Sequence, residues 1–274
     1  MGIIKEGLRV QRPRTSSALW SDPAPAWRER LEETVQRLPG RNKVRVFFRA
    51  DDIGAGGHSF RALCALFREH GVPLALAVVP AWLTETRIDQ LFATAPLDEK
   101  LWGWHQHGWR HVNWQKTGKK SEFGDQRPLE KQWKDVWQGH MRLMGVFQER
   151  LLPVFTPPWN RLSAMTLEVL DQMGFKAVST TDPLPKTGKN AHRLKNFRIG
   201  IDLHTRKNPD GAADYDRLLH ELSAAFSKEA PVGIMIHHQR MTPFAFAFLD
   251  ELIRRLQSCG RAEIVSFDDL LQGS

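Results

Sequence analysis

Cysteine is scarce: the 274 residues contain only Cys64 and Cys259. No Cys-x-x-Cys spacing exists, which argues against a thiolate zinc site or a dithiol redox site. Both cysteines read as unpaired thiols, one of them inside the apolar pattern "FRALCALF". Long apolar runs are also missing. None reaches the length of a membrane span, and "MGIIKEGLRVQRPRTSS" holds no signal-type apolar core. The expected location is therefore the cytoplasm, with no membrane partner. Internal repeats and low-complexity tracts are absent too. Tyrosine occurs once, against ten tryptophans.

The composition is otherwise that of a globular protein. Hydrophobic residues make up 41%, charged residues 26%, and mean hydropathy is -0.42. The length allows one large domain or two small ones with a full core. Net charge is +8. The basic residues are scattered and no nucleic-acid motif accompanies them, so no nucleic-acid partner is expected.

Strand-like and helix-like stretches alternate along the chain. Residues Met1 to about Pro25 read as an arm without structure of its own. "APAWRERLEETVQRL" reads as an amphipathic helix. Then come the strand "KVRVFF", a helix "FRALCALFREH" capped by Ser59, the strand "PLALAVV" and a short strand "WGWH". A long helix follows at "PLEKQWKDVWQGHMRLMGVFQERL". After it come the strand "PVF", the helix "SAMTLEVLDQMG", the strands "FKAVS" and "RIGIDLH", and the helix "YDRLLHELSAAFSKE". The chain closes with "VGIMIH", "PFAFAFLDELIRRLQSCG", "AEIVS" and "FDDLL". This alternation predicts an α/β fold with a parallel sheet, and seven or eight strands in one series favour a barrel. The expected division is an arm and helix over 1–42 and a catalytic barrel over 43–274. The long irregular stretches, Val112–Arg127 and Thr180–Phe197, are places to look for function.

In such folds the C-terminal ends of the strands carry the chemistry. The first strand ends in Arg49, Asp51 and Asp52, and the third in His105, His107 and His111. The fourth ends in "FTPPWN", Thr156 to Asn160, and the fifth in Thr180, Thr181 and Asp182. The sixth ends in Asp202 and His204, the seventh in His237 and His238. Six of the eleven histidines fall at these ends. Two adjacent carboxylates are costly to bury unless something neutralises one of them. Imidazoles and a carboxylate together form a common Zn²⁺ ligand set, so a divalent cation is the expected partner. "HGWRH" places His107 and His111 four apart, one face of a helix if the segment is helical.

The combination resembles the NodB-like polysaccharide deacetylases, metal-dependent carbohydrate esterases, over about Lys43 to Leu271. Their first motif, Asp-Asp-Gly after a strand, is here Asp51-Asp52-Ile53-Gly54. Their His-x-x-x-His is His107 to His111. Their Arg-Pro-Pro-Tyr is Thr156-Pro157-Pro158-Trp159, and their Leu-x-His is Met235-Ile236-His237. The resemblance implies a distorted (β/α)7 barrel. It implies a divalent metal, with Zn²⁺ the expected ion, on Asp52, His107 and His111. It further implies Asp51 as general base, the Trp159 N–H as an oxyanion donor, and His237 as the acid that protonates a leaving amine. His238 is the alternative acid. The family's motif arginine, which orients the base, is Thr156 here; Arg49 is the candidate replacement and Arg127 a second. The fourth motif is not recognisable, and Asp182, or Asp202 and His204, are candidates for its place. The implied activity is removal of an N-acyl group, acetyl above all, from a glycan or a smaller sugar-like amide. Trp104, Trp109 and Trp114 are candidate sugar-facing rings. The alternative is a barrel that keeps the metal and binds carbohydrate without turnover.

Overall fold

The structure is a computed structural model that describes residues 15–38, 43–186, 193–228 and 230–273. Its strands are β1 (Val44–Ile53), β2 (Leu74–Val78), β3 (Trp102–His107), β4 (Val154–Thr156), β5 (Ala177–Val178), β6 (Lys195–Asn196), β7 (Ile199–Asp202), β8 (Val232–Ile236) and β9 (Ala262–Ile264). The helices are α1 (Trp27–Gln36), α2 (His58–His70), α3 (Glu85–Thr94), α4 (Leu129–Phe147), α5 (Ala164–Gln172), α6 (Gly211–Phe226), α7 (Pro243–Ser258) and α8 (Phe267–Gln272). Strand order is β6-β5-β4-β3-β2-β1-β8-β7, with β9 also paired to β1. The chain divides into two compact units. One comprises 1–50, 56–74 and 200–265; the other comprises 51–55, 75–199 and 266–274.

In the first unit β1 runs parallel to β8, with Val46 opposite Val232 and Ala50 opposite Ile236. Every residue of β8 is buried, as expected for a parallel strand covered on both faces. Helix α1 buries Trp27, Leu31 and Val35 and packs on α6 and α7. Part of the stretch read as a free arm is docked. Ala18–Trp20 form a 3-10 turn, and the Trp20 indole donates to the Leu203 carbonyl at 2.6 Å. The Trp20 carbonyl accepts from Thr242 at 2.6 Å, and its ring lies 5.1 Å from that of Phe248. Met1–Arg14 lie outside the described residues. Helix α2 begins two residues earlier than the sequence suggests, with Gly57 rather than Ser59 at its N-cap. Cys64 is buried in it, and neither cysteine is bonded to another.

In the second unit β3, β4, β5 and β6 pair in parallel, with His107 opposite Thr156. A core of Phe123, Val136, Phe155, Leu167, Leu170, Phe175 and Val178 fills the space under α4 and α5. Trp104 stacks on Phe147 at 4.7 Å and is fully buried. It is a core residue, not a sugar-facing one, because β3 is buried along most of its length. Trp109 packs against the same core, whereas Trp114 is 43% exposed, with the Arg127 guanidinium over its ring. Helix α3, capped by the Thr84 hydroxyl, is not apparent from the sequence.

Candidate metal centre

The second unit gathers the sequence-predicted metal ligands. Asp52 stands at the end of β1, His107 ends β3, and His111 lies four residues on. Asp52 Oδ1 is 3.3 Å from His107 Nε2 and 3.2 Å from His111 Nε2. The three ligand atoms lie within 4.8 Å of one another. Among the described residues this is the only group of three or more histidine, cysteine or acidic side chains so arranged.

The pair His107 and His111 is not on a helix. The chain leaves β3 through Gly108, at φ 57, and His111 itself has φ 59. The intervening turn wraps around a buried side chain. Glu122 accepts backbone N–H bonds from Arg110 at 2.8 Å and from Trp109 and His111 at 3.2 Å each. A Cβ at position 108 would lie 2.4 Å from Glu122 Oε2 and 2.6 Å from Pro158, so the turn needs glycine for space as well as for φ. The imidazoles therefore meet through a turn, not through helical periodicity.

Each imidazole is prepared for a ligand role. His107 Nδ1 lies 2.9 Å from the Thr156 carbonyl, which can only accept, so Nδ1 carries a proton and Nε2 is the nitrogen that faces Asp52. This contact uses the backbone, so it does not depend on the side chain at 156. The Thr156 hydroxyl meets His105 Nε2 at 3.0 Å, and the His105 ring lies 5.0 Å from that of Phe267. Burial, together with the neighbouring His107, lowers the His111 pKa to about 4, so this ring is neutral at pH 7. Burial pulls His107 down as well. The carboxylates of Asp52 and Asp51 and the Thr156 carbonyl outweigh it, and the net shift is upward. Two imidazole nitrogens facing one carboxylate oxygen suit a divalent ion such as Zn²⁺, and the donor set fits.

Trp159 follows Pro157-Pro158, has φ 56, and places its ring 4.4 Å from that of His111. Asp51 is buried at the end of β1. Arg49 is fully buried in the first unit, with Nη2 3.0 Å from Met235 Sδ. The second candidate arginine is used elsewhere: Arg127 pairs with Asp135 at 2.6 Å. His237, just after β8, donates its N–H to His204 Nδ1 at 3.1 Å, and its own Nδ1 has no hydrogen-bond partner among the described residues. His238 is buried, edge-on to Phe60. Asp202 is a turn former, accepting from the N–H groups of His204 and Thr205 at 3.0 Å each. Asp182 is exposed.

No protein-family model matches the chain, and no curated protein does. Solved structures do. A Mycobacterium smegmatis protein assigned as a polysaccharide deacetylase superposes with TM-score 0.62 at 14% identity, over 86% of this chain and 94% of that one. The fold is that of the CE4 polysaccharide deacetylases. A CE4 pseudoenzyme from Bacillus anthracis matches at 0.52 and 12% identity, over 84% of this chain and 66% of that one. A family 4 carbohydrate esterase from Streptomyces lividans, solved with acetate, matches at 0.50 and 12% identity, over 83% and 95%. The distorted barrel expected from the motifs is thus the fold of the chain. At these identities the CE4 likeness speaks for the fold alone.

Neither the buried carboxylate of Glu122 nor the contact of the Thr156 hydroxyl with His105 is marked in the sequence. Glu122 stands in a polar loop, "KKSEFGDQR", where nothing in the residue pattern marks one acid as buried.

Proposed function

We propose that the protein is a metal-dependent hydrolase that removes an N-acyl group, acetyl above all, from a sugar or sugar-like amine. The observation that carries the reading is the convergence of Asp52, His107 and His111 at one point in a CE4-type fold. Asp52, His107 and His111 would hold a divalent ion, which would supply Lewis-acid chemistry for the acyl oxygen and for a water. Asp52 and the two imidazoles bind, and the Thr156 carbonyl fixes the His107 tautomer. Asp51 is the base that takes the proton of the attacking water. The Trp159 N–H stabilises the oxyanion, presented by a backbone that Pro157-Pro158 and a left-handed φ hold in a fixed turn. His237 gives its proton to the departing nitrogen, and Arg49 is assigned to hold the charge of Asp51.

Amine departure needs protonation, whereas an activated ester needs little. His237→Ala is expected to depress amide cleavage far more than cleavage of an activated ester of the same acyl group. Equal losses on both substrates would assign His237 a structural role. The substitution of Thr156 for the motif arginine favours one other reading, a barrel that keeps the ion and binds carbohydrate without turnover. Absence of acetate release from every N-acetylated sugar tried, with the metal fully loaded, would select it.

A further inference from the structure

We propose that Glu122 is the positioning residue of the metal centre, setting His111 through the backbone; the inference rests on the metal reading above. Glu122 is fully buried, and no salt bridge to it occurs among the described residues. A carboxylate in that setting needs compensation, and it comes from three N–H groups. All three belong to Trp109, Arg110 and His111, in the four-residue step from one imidazole ligand to the other. With left-handed residues at both ends, Gly108 and His111, the turn points successive N–H groups inward. That is the geometry of an anion-binding nest, and the anion here is the chain's own side chain.

The strut is fixed at its other end. The Phe123 N–H donates to Ser121 Oγ, and the Phe123 carbonyl accepts from Ser163 N–H at 2.8 Å and Thr166 Oγ1 at 3.1 Å. Ser121 Oγ donates to the Arg161 carbonyl at 3.1 Å. Glu122 thus ties the turn bearing His111 to the segment that directly follows Trp159. His111 has no glycine to ease its left-handed backbone, and the N–H bond to Glu122 helps hold it there.

The test uses Glu122→Gln, which keeps size but leaves one acceptor oxygen for three donors. Zn²⁺ affinity is expected to fall 10–100-fold, the usual loss when a group behind a ligand is removed. The Co²⁺-loaded variant is expected to show an altered visible absorption spectrum. Asp214→Asn, which removes one of the two carboxylates paired with Arg206, at 3.0 Å, should lower the melting temperature and leave both metal readouts unchanged. Equal Zn²⁺ affinity and an identical Co²⁺ spectrum in Glu122→Gln and the unsubstituted protein would overturn the proposal. Should Glu122→Gln fail to fold, amide hydrogen exchange of the unsubstituted, metal-free protein decides. Trp109, Arg110 and His111 should be protected, and exchange at the rate of an open loop would overturn it. If the unsubstituted protein takes up no metal at all, the metal reading fails, and the exchange result still judges whether Glu122 holds the turn.

Discussion

Asp52, His111 and Trp159 all hold left-handed backbone conformations, with φ of 61, 59 and 56. None is glycine, and each such residue costs about 1–2 kcal/mol. Strain of this kind persists where surrounding contacts over-determine it; among the described residues Ala26, Gln148 and Asn160 also have positive φ, and the other three are residues assigned to one site. The two aspartates should separate in experiment. Asp52→Asn keeps a side chain that tolerates the left-handed region, so it should fold and lose metal affinity. Asp51→Asn should keep its metal and lose about 10²-fold or more in turnover. Equal metal loss in both would show the roles to be wrong. Gly108→Ala should destabilise the protein by at least about 1–3 kcal/mol, the range for forced overpacking, since its Cβ would meet Glu122 and Pro158. An unchanged melting temperature would contradict the packing described. The ligand types were legible in the sequence because metal chemistry restricts them to a few residues. The route between them was not. His-x-x-x-His reads as helical until Gly108 and Glu122 are seen to bend it, and a long-range acceptor for three N–H groups leaves no periodic trace.

Elements differ in how plainly they announce themselves. Strands β2 and β8 are buried throughout and read as apolar runs. Helix α3 buries only Leu91, so its apolar period is too thin to see. Strand β6 is two residues long, one of them exposed, and carries no pattern at all. The Thr180–Phe197 stretch is irregular up to β6, with 187–192 outside the described residues. Between β7 and α6 lies His204, buried, with its Nδ1 committed to the His237 N–H. Burial and the nearby His237, His238 and Arg240 hold its pKa well below 6.5. The unfolded chain therefore takes up a proton near pH 6.5 that the folded state refuses. As pH falls below about 6.5, stability drops by about 1.4 kcal/mol per unit from this group, until the folded pKa is reached. Above pH 6.5 it contributes no slope. Melting temperatures measured from pH 8 to pH 5 should show this fall, and it should be shallower in His204→Gln. Parallel curves for the two proteins would mean that His204 is not the source.

At the scale of the molecule, the α/β class followed from alternating elements, and the CE4-type fold from the order of four short motifs. Neither depends on sequence identity, which is 14% or lower for the structures compared. No helix among the described residues is long and apolar enough to cross a membrane. The proposed chemistry depends on one property of the whole chain, uptake of a divalent ion by Asp52, His107 and His111. Elemental analysis after equilibration with Zn²⁺ measures it directly, on the unsubstituted protein and on a His107→Ala/His111→Ala variant. One equivalent of metal in the first and essentially none in the second is the predicted result. Equal metal content in the two would contradict the account.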